Sequence, residues 1–179
     1  DAPRDVQVVD TPGVNDPVVS REQRTREYLK KCDVVLIVSP AGQFLSREDT
    51  DLMDNVTERE GIREMYVVAA QADTQLHGDV LDTSKGELPK ALGSLRNLLG
   101  GQAVSTLSAL KKGSPEVGKA YDQLIEGGEK RVIVTSSICY AMLQRFDTRS
   151  EWDDGMNHVW GLLRKNYQDY FGSDAGARE

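Results

Sequence analysis

Short apolar blocks alternate along the chain with longer stretches whose apolar residues recur at helical spacing, the pattern of strands joined by amphipathic helices. Val6 to Val9, ending at Asp10-Thr11-Pro12-Gly13, reads as a strand running into a loop punctuated by Pro and Gly. Ser20-x-x-Gln23 reads as a capping box that opens a polar helix through about Lys31. Val34-Val35-Leu36-Ile37-Val38 is continuously apolar, as expected of a strand covered on both faces in a parallel sheet. Ser46-x-x-Asp49 caps a helix that places Leu52, Met53 and Val56 on one face. Tyr66 to Ala70 and Arg131 to Thr135 supply two more buried strands.

The stretch between those last two strands carries three helical patterns and reads as an enlarged helical insertion at about 83–128. Leu88, Leu92, Leu95, Leu98 and Leu99 form a stripe that Gly100-Gly101 is expected to end, and Ala103, Val104, Leu107 and Leu110 form a second. A third begins at Ser114-Pro115, carries Val117, Ala120, Tyr121, Leu124 and Ile125, and stops at Gly127-Gly128. A short helix near Ile138 to Gln144 and a longer one near Trp152 to Phe171 follow the final strand, and 173–179 reads as a frayed tail. Strands alternating with helices imply an α/β fold with a parallel sheet, in which function sits at the carboxyl ends of the strands.

Composition narrows the function. The 179 residues fit one domain, with 39% hydrophobic and 28% charged residues and a mean hydropathy of -0.48, the profile of a soluble globular chain. A net charge of -7 gives nucleic acid no general electrostatic help, and no nucleic-acid partner is expected. Two cysteines, Cys32 and Cys139, and two histidines, His77 and His158, show no metal-ligand spacing. A reducing, cytoplasmic setting is the natural expectation.

Three loops at strand ends carry chemistry. In Asp10-Thr11-Pro12-Gly13, a carboxylate fixed at a strand end can hold a magnesium ion through a water, and Gly13 can bring its bare backbone N–H against a terminal phosphate. The same four residues also make an ordinary capped turn. In Gln71-Ala72-Asp73-Thr74, the Asp73 carboxylate can accept two hydrogen bonds from guanine, which adenine cannot donate; a loop Asp that caps the next segment is the plainer alternative. In Thr135-Ser136-Ser137, small residues let backbone N–H groups approach a base edge, and also suit a simple helix cap.

Joint order strengthens these signals. The runs Asp5-Val-Gln-Val-Val-Asp-Thr-Pro-Gly-Val-Asn-Asp16, Tyr28-Leu-Lys-Lys-Cys-Asp-Val-Val-Leu-Ile-Val-Ser39 and Phe44-Leu-Ser-Arg-Glu-Asp49 resemble the dynamin-like GTPases, especially the bacterial ones, over about Asp5 to Asp73. The resemblance implies a P-loop GTPase-type parallel sheet with flanking helices, GTP or GDP and Mg2+ as ligands, self-association through G domains, and a cytoplasmic protein that acts peripherally at membranes. By the same resemblance Asp10 would be the magnesium ligand through water, Gly13 the terminal-phosphate sensor, 14–31 the switch region, Asp73 the guanine reader, and Ser136 and Ser137 the base-edge loop. Thr11, Pro12 and Gln71 complete the expected nucleotide contacts.

Two departures accompany it. Ala70 and Gln71 stand where the guanine motif has Asn or Thr and then Lys, so only Asp73 remains of its polar positions. The phosphate-cradling pattern G-x-x-x-x-G-K-(S/T) occurs nowhere in the chain. The sequence therefore reads as the C-terminal portion of a G domain over 1–172, lacking the N-terminal strand and phosphate loop, and inactive alone. That absence would leave two apolar strand edges facing a gap, which invites pairing with another chain or an altered strand order. A nucleotide-free scaffold on the same fold is the alternative.

Overall fold

A computed structural model describes residues 6–10, 32–57, 63–113 and 119–178. Its sheet has three parallel strands in the order β1 (Val34–Pro40), β2 (Glu64–Ala70), β3 (Val132–Val134). α1 (Arg47–Thr57) connects β1 to β2, and α2 (Gly78–Ser84), α3 (Leu88–Gly113) and α4 (Lys119–Gly127) lie between β2 and β3. α5 (Ser137–Gln144), α6 (Asp154–Asn166) and α7 (Gln168–Phe171) follow. The α/β class and parallel sheet read from the sequence are therefore present, compatible with a GTPase-like fold.

Register sets the layers. Ile37 pairs with Val67 and Val67 with Val132, which places three β-branched residues side by side on one face. On that face Met65, Val67 and Ala69 are fully buried, as is Ser39, with Val35, Ile37 and Val132 nearly so. At roughly 1.5–3 kcal/mol per fully buried large apolar side chain, this covered face carries the stability of the sheet. The other face differs from expectation: Val34, Leu36 and Val38 are 50%, 55% and 63% exposed. Strands taken in one direction across a sheet, with crossovers of one hand, place their connecting helices on a single side. Among the described residues nothing pairs with the outer edge of β1 either.

The expected strand at Val6 to Val9 is not formed: those residues are irregular, with Val6 and Val8 exposed. The outer edge of β1 is left unpaired by this segment. The expected helix through Lys31 lies outside the described residues.

At the carboxyl end of β1 the Ser39 hydroxyl donates to Asp49 Oδ2 at 2.7 Å and accepts from Leu45 N at 2.9 Å. Asp49 Oδ2 also accepts from Ser46 N, while Ser46 Oγ accepts from Asp49 N. This is the capping box read from the sequence, with Ser39 buried beneath it. Gln102 on α3 donates to Phe44 O at 2.7 Å and holds the same loop from the other side.

Gly100-Gly101 does not end a helix. α3 runs through both, because Ala91, Leu95, Leu99, Ala103 and Leu107 form one uninterrupted buried row that outweighs a helix penalty of about 1 kcal/mol per glycine. Gly100 sits against Glu129, where a Cβ would lie 2.7 Å from Glu129 Cα. The long C-terminal helix is instead broken at Tyr167, a fully buried ring with φ -131° and ψ 58°. Phe146, Trp152, Trp160 and Phe171 pack edge to face beside it, with centroids 5.6–6.0 Å apart. Residues 176–178 form a final 3-10 turn, and Arg149 pairs with Asp174 at 2.8 Å.

Gly100→Ala is expected to lower unfolding free energy by about 1–3 kcal/mol through this clash. Gly101→Ala, with nothing within 4 Å of its Cβ position, should raise it by about 0.5–1 kcal/mol. Urea unfolding of both variants checks the pair.

Candidate functional site

The chain turns sharply where β2 ends. Gln71 adopts φ 56° and ψ 38°, the left-handed region in which a non-glycine side chain is strained by roughly 1–2 kcal/mol. Its carbonyl accepts from Thr74 N at 3.1 Å and from Thr74 Oγ1 at 2.7 Å, which closes a 3-10 turn over Ala72–Gln75. Thr135 N donates to Ala69 O at 2.9 Å and Ala72 N donates to Thr135 O at 3.0 Å. These two bonds continue the β2–β3 pairing past the strand ends and bring the Gln71–Asp73 loop against the Thr135–Ser137 loop.

There Ser136 meets Asp73. Its hydroxyl donates to Asp73 Oδ1 at 2.5 Å and accepts from Cys139 N at 3.2 Å as the N-cap of α5. The serine thus caps a helix and fixes a carboxylate at once. Ser137 is the first residue of α5. Beside them burial pushes the Cys139 thiol up and the Asp73 charge adds to the shift, while the Ser136 hydroxyl opposes it.

Asp73 and Thr74 open on a cavity of about 230 Å3 whose far wall comes from α6. Asn166 on α6 donates to Leu76 O at 3.4 Å, which ties that helix to the loop. Of the other expected site residues, Asp10 is exposed in an irregular segment, and Thr11, Pro12 and Gly13 lie outside the described residues. The structure therefore joins Asp73, Ser136 and the Gln71 turn. Among the described residues no three His, Cys, Asp or Glu side chains are grouped to hold a metal ion.

The sequence offers this loop two roles, backbone contact with a base edge and a helix cap, and the structure forms the cap at Ser136. Its side-chain bond to Asp73 spans 63 positions in the chain, a distance at which local pattern carries no signal. Gly113-Ser-Pro-Glu-Val-Gly-Lys-Ala120 also has the glycine and lysine spacing of a phosphate loop. It carries Ala120 where a magnesium-binding hydroxyl is required, and it connects α3 to α4 rather than a strand to a helix.

Ser136→Ala removes a cap and leaves the Asp73 carboxylate without this donor, so a loss of about 1–2 kcal/mol is expected in denaturant unfolding. The Cys139 thiol sits above its ordinary value, so the stability it contributes is present below the unfolded thiol value and falls as pH rises through the folded one. Alkylation of Cys139 should accordingly stay slow at pH 8 in the folded chain, and be slower still in Ser136→Ala. Mass spectrometry over time reads both.

Comparison with known sequences bears on the N-terminal side of the chain. Residues 2–71 match the family model described as the dynamin family, a span that ends just short of Asp73. Dynamin-like protein 1 of Campylobacter jejuni subsp. jejuni serotype O:23/36 (strain 81-176) is 34% identical over 68 residues, 38% of this chain. The match spans 9% of that relative's length. No solved structure matches. Over residues 2–71, this chain is similar to the dynamin family.

Proposed function

We propose that the chain forms the base-reading side of a GTPase domain, and that the intact gene product is a dynamin-like GTPase that binds and hydrolyses GTP. The observation that carries this reading is the Asp73–Ser136 pair at the ends of adjacent parallel strands, just beyond a segment of dynamin-family sequence. An oriented carboxylate is the group that discriminates guanine by accepting from both of its donors. The residues present fit the base: Asp73 borders a cavity and is held in place by a neighbour.

When bound, GTP and Mg2+ supply the polarised phosphate bond that is cleaved. Asp10 would hold the magnesium ion through a water and Gly13 would contact the terminal phosphate. Ser136 and Ser137 would border the base edge, and Gln71 would stand at the Lys position. Phosphate binding requires the glycine-rich loop that these residues do not supply, so the chain alone is expected to be inactive. Self-association through G domains, action at a membrane surface and a cytoplasmic location belong to the same proposal. Among the described residues no helix is long and apolar enough to cross a membrane.

A second reading, a scaffold on this fold without nucleotide chemistry, is favoured by Gln71 in place of Lys. The two separate in a titration of fluorescent GTP with magnesium against the intact gene product, with ATP as competitor. Saturable binding that ATP does not displace, weakened about tenfold or more by Asp73→Ala as expected for a lost charged hydrogen-bond pair, supports the GTPase. Absence of binding supports the scaffold.

A further inference from the structure

The chain contains two histidines, and both line the cavity that contains Asp73. They arrive from distant positions. His77 stands just before α2 in extended conformation, φ -148° and ψ -175°, while His158 projects from α6. Leu76 and Val159 beside them supply apolar surface, and the Asn166 bond to Leu76 O fixes the separation of the two walls.

We propose that His77 and His158 are base-contacting residues, which pack their imidazoles against a guanine held at its edge by Asp73. This inference rests on the base-reading role of Asp73 proposed above and adds residues that the sequence motif does not contain. Three physical points support it. The volume of about 230 Å3 is below the roughly 300–1,000 Å3 of pockets that enclose whole ligands, so it suits a base with sugar and phosphates outside. A neutral imidazole offers a flat π surface with one donor and one acceptor, which suits a purine that presents both. Gln71 occupies the position whose Lys stem would otherwise lie along the base, and its left-handed backbone is spent on closing the turn. The imidazoles supply the flat surface that this exchange removes. A metal centre is the other chemistry such side chains suggest, and no metal-holding group of three exists among the described residues.

The test uses the chain itself with GMP, whose weak binding NMR can follow to millimolar concentration, and AMP as the control base. Two histidines give two imidazole Cε1–H signals. The expected result is that both signals shift with the same saturation curve as the H8 signal of GMP, and little with AMP. His158→Ala should weaken GMP binding roughly fivefold or more, the range for removing a ring stacked on a base, whereas His158→Phe, which keeps a flat ring, should retain most of it. Circular dichroism confirms that each variant is folded. If GMP saturates, Asp73→Asn weakens it and the imidazole signals stay still, the histidine role is overturned while the Asp73 reading stands. If GMP and AMP shift the signals equally, guanine is overturned as the ligand. If no saturable GMP binding occurs, both this proposal and base reading by this chain are overturned.

Discussion

Sidedness of the sheet is the constraint on which the rest depends. Three parallel strands in simple sequential order, joined by crossovers of one hand, put every connecting helix on the same face. Met65, Val67 and Ala69 of the central strand are consequently fully buried, and their neighbours in β1 follow the same alternation. The strand ends are fixed as firmly as the strands, because the covered face anchors α1, α3 and α4. Loops that emerge from a rigid edge can hold side chains in one geometry, which is why chemistry gathers at the carboxyl ends of such sheets.

The two loops that matter use the same device. At the end of β1, buried Ser39 donates to Asp49, whose carboxylate also accepts from the loop backbone. At the end of β3, Ser136 donates to Asp73 while it caps α5. The first pair links a strand end to the helix that follows and the second links the loops after β2 and β3, so neither polar group is left without a partner. The difference lies in exposure. Ser39 is sealed beneath α1 and serves the fold, whereas Asp73 borders a cavity and remains available to a ligand.

Local pattern made most of the sheet legible. The apolar runs at Val34 and Tyr66 are strands because their residues suit a pleated, buried surface, and Ser46-x-x-Asp49 forms its capping box because both bonds are local. Non-local features were not legible. Gly100-Gly101 resembles a stop, yet the surface of Glu129 that accepts Gly100 lies far along the chain. The continuous apolar run of β1 implied cover on both faces, but coverage is decided by connection order and not by the run itself. Val6 to Val9 has strand propensity, and propensity alone provides no backbone partner. At the site, the presence of Asp73 was readable, and its orientation by Ser136 was not.

The departure at Gln71 follows from the same geometry. A left-handed residue at the end of β2 is strained unless the turn after it is well bonded, and here its carbonyl takes two bonds from Thr74. The turn directs Asp73 toward Ser136, so position 71 acts through its backbone whatever side chain it bears. A Gln where the resemblance has Lys therefore leaves the Asp73 carboxylate in place. In the proposed function, recognition of a base would rest on one oriented carboxylate and on the walls opposite it. Those walls belong to α6, a helix placed by the aromatic cluster and by the break at buried Tyr167. The C-terminal packing, far from the segment that carries family likeness, thereby shapes the cavity that faces Asp73.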